Sequence, residues 1–170
     1  MLVYLDSSAI VKRYVEERGS GSIDVLYETL EKVENVRAAF SVWNVGEVIG
    51  AIDSRHQRGD IDGTSTAEAI KLLVGETRKF AAMRKLMVLP ISNRMLEESR
   101  DLVVKHHIYQ ADALQLAAAR QCDSALFVTA DKRLLECGKL EKLQTANPEM
   151  DNQEIANVVM GSTVGSTGRR

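Results

Sequence analysis

Four acidic residues lie in or directly beside largely apolar segments, where a charged side chain needs a reason other than exposure to solvent. They are Asp6 in YLDSSAIVKRY, Glu47 in SVWNVGEVIGAI, Asp112 in YQADALQLAAAR and Asp131 in FVTADKRLL. Two carboxylates about 4 Å apart repel each other by roughly 4 kcal/mol at an effective dielectric constant near 20. If the four converge, they need protons or a cation, and an all-oxygen set suits Mg²⁺ or Mn²⁺. The spacing of the four acids along the sequence does not show whether they converge in the fold.

Three of these acids also have an ordinary structural explanation. Asp6 and Asp131 each stand between a strand and a helix, where an aspartate N-cap contributes about 1 kcal/mol. Alternatively, Ser7 or Ser8 caps the first helix and leaves the Asp6 carboxylate free. Asp112 opens a helix, where a negative charge typically contributes about 0.3–1 kcal/mol. Taken singly, each of these three aspartates is therefore explained at least as well by its place at the start of a helix as by chemistry.

Glu47 is harder to explain by structure alone, since it is the only charged residue in SVWNVGEVIGAI. One face of this predicted helix is apolar, and the face that carries Glu47 holds only small residues and a tryptophan. The apolar face comprises Val45, Val48, Ile49 and Ile52, and the second face comprises Trp43, Gly46, Glu47 and Gly50. A helix of this kind is predicted to be buried, so its carboxylate needs an ionic partner or a metal. The alternatives are partial exposure and a salt bridge to an arginine.

The elements that must position these acids alternate along the chain. The predicted strands are Leu2–Leu5, Val36–Val42, Met87–Ile91, Ala125–Thr129 and an edge strand at Leu143–Thr145. The predicted helices are Ser8–Glu17, Ile23–Val33, Trp43–Gln57, about Thr66–Arg84, one beginning at Ser92, Tyr109–Gln121 and Lys132–Cys137. This alternation favours an α/β fold whose parallel sheet of about five strands is covered on both faces. Ligands of such sheets bind outside the carboxyl ends of the strands.

Length and composition limit the possible classes of protein. The 170 residues suggest one domain, and the net charge of −2 excludes a basic field over the whole surface but not a local basic patch. Cys122 and Cys137 fit a reducing compartment, and the sequence predicts neither a membrane span nor a signal peptide, so a cytoplasmic protein is expected. The domain is predicted to end at Pro148. The tail, 149–170, is predicted to be disordered or partner-binding, with one or two helical turns around Ile155, Val158 and Val159.

Together, these segments resemble the PIN-domain family and, within it, the VapC-like toxins of type II toxin–antitoxin systems. YLDSSAIVKRY, VGEVIGAI, QADALQLAAAR and FVTADKRLL are similar to the family's four acidic motifs, in the same order from Met1 to about Pro148. The resemblance implies a three-layer α/β/α fold and a metal-dependent ribonuclease with Mg²⁺ or Mn²⁺. Ser8 and Thr129 match the hydroxyl positions that support the acids, although helix capping and strand packing explain them equally well.

The resemblance also implies roles for individual residues. Asp6 and Asp112 would contact the metal directly and Asp131 directly or through water. Glu47 would act through a water on the metal or orient the nucleophile. The candidate substrate-binding cations are Lys12, Arg13, Lys132 and Arg133, although an ordinary solvated charge is the simpler explanation of each. His106 and His107 are interpreted as surface residues.

RNA is the implied substrate and an antitoxin protein the implied partner. A homodimer through the helix face Ile70–Ala81 is possible, although core packing explains that face equally well. A housekeeping RNA-processing nuclease and a non-catalytic protein-binding module remain alternatives. A haloacid-dehalogenase-type phosphotransferase would carry a second aspartate where this chain has Ser8.

Overall fold

Five parallel strands form one sheet in the part of the chain that the computed structural model describes, residues 1–150 and Ile155. The strands are β1 (Leu2–Leu5), β2 (Arg37–Ser41), β3 (Leu86–Leu89), β4 (Leu126–Val128) and β5 (Thr145–Ala146), in the order β3-β2-β1-β4-β5. In the centre of the sheet, Tyr4 pairs with Ala39 on one side and Phe127 on the other. The predicted parallel sheet of about five strands is confirmed.

Helices connect every pair of consecutive strands. They are α1 (Ser7–Ile10), a short 3-10 helix (Val11–Arg13), α2 (Ser20–Lys32), α3 (Val42–Gln57), α4 (Gly63–Ala82), α5 (Asn93–His106), α6 (Gln110–Gln121) and α7 (Lys132–Leu140). The predicted helix Ser8–Glu17 is wrong in length. The backbone N–H of Glu17 donates to Ser20 Oγ at 3.0 Å, and Gly19 has a left-handed φ of 92°, so the chain turns here into α2.

The helices lie on both faces of the sheet because successive strand side chains point in opposite directions. Val3 and Leu5 of β1 join one buried cluster with residues of α1 to α4. Leu2 and Tyr4 join a second cluster with residues of α5 to α7. The sheet is buried between these two clusters, as the three-layer α/β/α prediction requires.

The carboxyl end of β1 lies where the strand order reverses direction. From β1 the chain builds outward through β2 to β3, and then returns to add β4 and β5 on the other side. The backbone N–H of Asp6 donates to the carbonyl of Val128 at 3.0 Å, which joins the ends of β1 and β4. In open α/β sheets such a switch point is the usual place for a ligand.

The chain continues to contact the domain beyond the predicted boundary at Pro148. Lys12 Nζ donates to Glu149 Oε1 at 2.6 Å, and Ile155 is helical and buried in the core. A Cβ added to Gly19 would lie 2.9 Å from the carbonyl oxygen of Pro148, so the two segments touch closely. The predicted helical positions Val158 and Val159 and the predicted disordered tail lie outside the described residues. None of the described helices is long and apolar enough to cross a membrane.

Candidate active site

Asp6 is the buried centre of a small hydrogen-bond cluster at the end of β1. Its Oδ2 accepts from Ser8 Oγ at 2.6 Å and Thr129 Oγ1 at 2.9 Å. The Ser8 backbone N–H also donates to Oδ2, at 3.2 Å, so Asp6 itself, and not Ser7 or Ser8, is the N-cap of α1. No described residue donates to Oδ1. One carboxylate oxygen is thus held by the protein, while the other has no hydrogen-bond donor within the described part of the chain.

Thr129 connects this cluster to Asp131. The Asp131 backbone N–H donates to Thr129 Oγ1 at 3.1 Å, and the Ala130 N–H donates to Ser8 Oγ at 2.9 Å. Asp131 Oδ1 accepts from the backbone N–H of Leu134 at 2.9 Å and so caps α7. Asp131 is therefore a helix cap, and this role uses only one of its two carboxylate oxygens.

Glu47 reaches the same region from α3. Its Oε2 accepts from Ser7 Oγ at 2.5 Å and from Gln115 Nε2 at 2.6 Å. The prediction that this helix is buried on every side is wrong. Trp43 is 49% exposed, and a Cβ added to Gly46 or Gly50 would meet nothing within 4 Å. The face with small residues is open to solvent, because α3 buries its other face against the core.

Asp112, in the first turn of α6, is electrostatically coupled to the other three acids. Burial raises the pKa of Asp112 to about 6, and the charges of Asp131, Asp6 and Glu47 contribute to this rise against the opposing effect of Arg133. Burial likewise raises the pKa of Asp6, against hydrogen bonds from two hydroxyls, and the charge of Glu47 adds to this rise. The four acids, which come from separate elements, thus lie near enough for the charges of the other three to raise the pKa of Asp112.

Comparison with known proteins identifies the family of this fold. A profile of the PIN domain matches residues 3–140. The chain belongs to the PIN domain family. This confirms the family predicted from the four motifs, and since PIN domains are in general nucleases, it places the chain in a family of nucleic-acid hydrolases. A comparison with curated protein sequences finds no match.

Solved structures share the fold at low sequence identity. PAE2754 from Pyrobaculum aerophilum is 17% identical with a TM-score of 0.63, and the match covers 92% of this chain and 96% of that one. VapC20 from Mycobacterium tuberculosis, a Sarcin-Ricin loop cleaving toxin, is 15% identical with a TM-score of 0.58, covering 80% and 95%. VapBC-1 from nontypeable Haemophilus influenzae is 16% identical with a TM-score of 0.54, covering 87% and 98%.

PIN nucleases generally use divalent metal ions, and the carboxylates at the end of β1 and around it are the residues here that could hold one. Among the described residues, no three His, Cys, Asp or Glu side chains are grouped closely enough to cage an ion by themselves. Mg²⁺ does not need such a cage, because it keeps several waters and is commonly bound by one or two carboxylates together with substrate phosphates. The oxygens of Asp6, Asp112 and Asp131 are hard donors of the kind that Mg²⁺ and Mn²⁺ prefer. The donor set of this PIN domain therefore fits a hydrated divalent ion.

The four candidate substrate-binding cations lie in different environments. Lys12 is only 4% exposed and pairs with Glu17 at 2.8 Å as well as with Glu149. Arg13 pairs with Glu76 and Asp24. These two cations are already occupied by carboxylates, so their contacts do not favour a role with substrate.

Lys132 and Arg133 are exposed at the start of α7. Arg133 donates to the backbone carbonyl of His107, and its charge is felt at Asp112. It is thus the candidate cation with the clearest link to the acids. The interpretation of His106 as a surface residue is wrong, since its Nε2 lies 2.6 Å from Glu141 Oε1 and the side chain is largely buried.

Sequence reasoning missed the polar residues beneath Glu47. Asn44 and Gln115 are fully buried and hydrogen-bonded to each other and to Ser7, and Tyr4 donates to Gln115 Oε1 at 2.9 Å. A signal for them exists in the sequence. An amide inside SVWNVGEV and another inside ALQLAAA each interrupt an apolar helical segment, and a buried amide requires polar partners.

Proposed function

We propose that this PIN domain is a metal-dependent endoribonuclease that hydrolyses phosphodiester bonds of RNA and acts as the toxin of a toxin–antitoxin pair. The observation that carries the proposal is the bridge that Thr129 makes between Asp6 and the backbone of Asp131 at the switch point of the sheet. The coupling of Asp112 to both of these acids supports it. Carboxylates gathered at a switch point favour a cation and a phosphate ligand over a purely structural role.

In this proposal Asp6 and Asp112 would contact Mg²⁺ or Mn²⁺ directly, and Asp131 would contact the ion directly or through water. A bound divalent ion lowers the pKa of water and stabilises negative charge on phosphoryl oxygens. Asp6 Oδ1 and the second oxygen of Asp131 are available for this task, because the hydrogen bonds of the described residues engage the other oxygens. Ser8 and Thr129 orient Asp6 by donating to its Oδ2.

Glu47 orients the attacking water. Its Oε2 is fixed by Ser7 and Gln115, and no described residue donates to its Oε1, so that oxygen can accept a hydrogen bond from water. Arg133 is the cation that would meet the substrate phosphate, since its charge already acts on Asp112. This scheme needs no serine, cysteine or histidine nucleophile.

RNA as the substrate and an antitoxin as the partner draw support from the fold alone. VapC20 is a Sarcin-Ricin loop cleaving toxin, and its match covers 80% of this chain. An antitoxin of this protein would be expected to shield the acids with a cationic side chain, because a charged hydrogen bond to carboxylate is strong. A cytoplasmic location and a homodimer through α4 stay predictions.

The test is cleavage of a mixed RNA pool with Mg²⁺, with Mn²⁺ and with EDTA. The wild-type chain should cleave only with a divalent ion, and Asp6→Asn and Asp112→Asn should each lower the rate at least about 100-fold, since each removes a charged ligand. Asp62→Asn is the matched control, because Asp62 caps α4 by accepting from the Ser65 N–H at 2.7 Å, as Asn also can. Metal-dependent cleavage that survives the first two changes would refute the assignment of the site.

Two further observations separate the alternatives. Absence of cleavage together with retained fold would favour the non-catalytic binding module. Growth arrest on expression of the wild-type chain, relieved by Asp6→Asn or by co-expression of a small adjacent gene, would favour a toxin over a housekeeping nuclease.

A further inference from the structure

We infer that Asn44 and Gln115 are positioning residues that fix the direction of the hydrogen bonds at Glu47, so that one oxygen of this carboxylate is always held as an acceptor. The inference deepens the proposed nuclease function and rests on it for its kinetic consequences. Both residues are buried from solvent, and Asn44 acts on Glu47 only through Gln115 and Ser7, which distinguishes their role from that of the acids.

The direction is set at the backbone. The N–H of Ser41 donates to Asn44 Oδ1 at 2.8 Å, and Ser41 Oγ donates to the same oxygen at 2.6 Å. A backbone N–H can only donate, so the Asn44 oxygen must face β2 and its amide nitrogen must face the opposite way. The usual ambiguity between the two ends of an amide side chain is thereby removed.

The amide nitrogen of Asn44 then determines the orientation of Gln115. Asn44 Nδ2 lies 2.7 Å from Gln115 Oε1, and the Tyr4 hydroxyl donates to that same oxygen at 2.9 Å. Because Asn44 Nδ2 donates to its oxygen, Gln115 turns its own Nε2 towards Glu47, where the distance to Oε2 is 2.6 Å. Reversing the amide would bring donor against donor and acceptor against acceptor in a fully buried site, which is unfavourable.

Ser7 is oriented by the same chain of hydrogen bonds. Its Oγ accepts from Asn44 Nδ2 at 3.0 Å, so its single proton is free to point at Glu47 Oε2, 2.5 Å away. Glu47 Oε2 therefore meets two donors, one amide and one hydroxyl. A proton on that oxygen would face both donors. The network therefore keeps Oε2 of Glu47 fixed as an acceptor and leaves the second oxygen of this carboxylate for water.

The first test compares two variants that act at different distances from Glu47. Gln115→Met removes the amide at nearly constant volume. Asn44→Asp, studied in the kinetic and NMR tests at a pH where the new carboxyl is ionised, keeps the bonds to Ser41 but loses its donor, so Gln115 must reverse. Each should lower kcat about 10- to 100-fold with KM within about twofold, as loss of an outer-shell partner typically does. The double variant should be no worse than the poorer single one, because both break the same chain of bonds.

Ser99→Ala is the matched control, since Ser99 is buried in the α5–α6 layer and makes its own hydrogen bonds to Leu96 and Gln110. It should lower thermal stability without changing kcat. If Asn44→Asp keeps wild-type kcat, or if the two losses add, the positioning role is refuted.

Gln115→Glu supplies a readout that a merely structural role would not move. At low pH the new side chain is a neutral carboxylic acid, which accepts from Asn44 and donates its proton to Glu47 and so reproduces the native polarity. At high pH it places a second negative charge against Glu47. The ratio of variant to wild-type kcat should therefore rise as pH falls, whereas Gln115→Met should show a constant ratio. A constant ratio for both would refute the inference.

A measurement without activity separates this inference from the proposed function. In wild-type protein the Gln115 side-chain amide protons should exchange slowly with solvent, and their NMR signals should shift in Glu47→Ala and in Asn44→Asp. Unchanged signals in Asn44→Asp would refute the inference even in an active enzyme. If the wild-type chain cleaves no RNA, the proposed function fails, and this NMR result alone decides whether the orientation chain exists.

Discussion

Thr129 Oγ1 lies 2.9 Å from Asp6 Oδ2 and so joins the carboxyl ends of two neighbouring strands, β4 and β1. The hydroxyl also accepts from the Asp131 N–H and donates its own proton to Asp6 Oδ2. The burial that raises the pKa of Asp6 is thus partly opposed by a donor that comes from the far end of the sequence. The hydroxyl therefore stabilises the ionised form that a cation requires.

Removing this hydroxyl should weaken metal binding. In Thr129→Val the pKa of Asp6 should rise further, because one of the hydrogen bonds that lower it is lost. We expect the affinity for Mn²⁺ to fall about tenfold, near the lower end of the effect of losing an outer-shell partner. Titration followed by Mn²⁺ electron paramagnetic resonance measures it at pH 7.

Thr145→Val makes the same change in the adjacent strand β5, where the Thr145 hydroxyl is buried and has no hydrogen-bond partner among the described residues. It should leave Mn²⁺ affinity unchanged. Equal losses in the two variants would show that the threonine acts through packing and not through Asp6.

The order of strands and helices along the sequence predicts those features of the fold that follow from that order. Asp6 and Asp131 stand at strand ends, and a parallel sheet brings strand ends to one edge, so their proximity follows from the alternation of strands and helices alone. The burial of the α3 helix, in contrast, could not be predicted from the residue types alone. The sequence predicts burial for the face with Trp43, Gly46 and Gly50, but a face of small residues is equally compatible with solvent, and only the packing of neighbouring elements decides.

The ion pairs could not be predicted for a related reason. Lys12 stands five residues from Glu17 but 137 residues from Glu149, and both carboxylates reach its ammonium group in the fold. A sequence reveals that a lysine is near an acid along the chain, but it does not reveal which long side chains the tertiary structure brings together. The chain of hydrogen bonds from Asn44 to Gln115 was missed because it joins helices that are distant in sequence.

Asp112 should make stability depend on pH in metal-free buffer. Its pKa is about 6 in the folded state against an ordinary value near 4, so between these pH values the native state binds more protons than the unfolded state. Stability from this group is therefore present below about pH 4 and is lost as pH rises to about 6. Asp112→Asn should be more stable than wild type at pH 7.5 by about 1 kcal/mol, since the half-buried carboxylate keeps part of its hydration.

Urea unfolding with EDTA between pH 4 and 8 measures this difference, which should shrink towards pH 4. Asp62→Asn is a control of opposite sign, because hydrogen bonds from Ser65 lower the pKa of Asp62. It should bring no gain in stability at neutral pH. A gain for Asp112→Asn that is constant across the range would contradict the assigned cause.

Lys12 should contribute to the stability of the fold, whereas Arg133 should contribute to RNA binding. Lys12→Met removes a buried ammonium group from two carboxylates, and we expect the free energy of unfolding to fall by about 1–3 kcal/mol because Glu17 and Glu149 can partly regain water. Its KM for RNA should stay within about twofold. Arg133→Gln should raise KM and raise the pKa of Asp112 further, with stability within about 0.5 kcal/mol of wild type.

Denaturant unfolding and steady-state cleavage of one RNA oligonucleotide measure both effects. A raised KM with unchanged stability in Lys12→Met would restore Lys12 as a substrate-binding residue. An unchanged KM in Arg133→Gln would exclude Arg133 from substrate binding, although its charge lowers the pKa of Asp112.

Trp43 and Tyr109 are exposed aromatic side chains, at 49% and 82%, and each stands about one helical turn before a site acid, Glu47 and Asp112 respectively. Exposed rings beside a cleavage site can stack on unpaired bases, which is worth about 1–3 kcal/mol per base. Trp43→Ala and Tyr109→Ala should therefore each raise KM for an unstructured RNA roughly tenfold, with kcat little changed.

The comparison that decides is between the unstructured oligonucleotide and the same sequence held in a duplex. Stacking requires bases that are free to leave their neighbours, so the two variants should lose affinity for the single strand and show no added loss for the duplex. Val104→Ala, which shortens an exposed apolar side chain on α5, should change neither. Equal losses on both substrates would show that the rings contact the sugar-phosphate backbone, and an unchanged KM would show that the rings do not contribute to RNA binding.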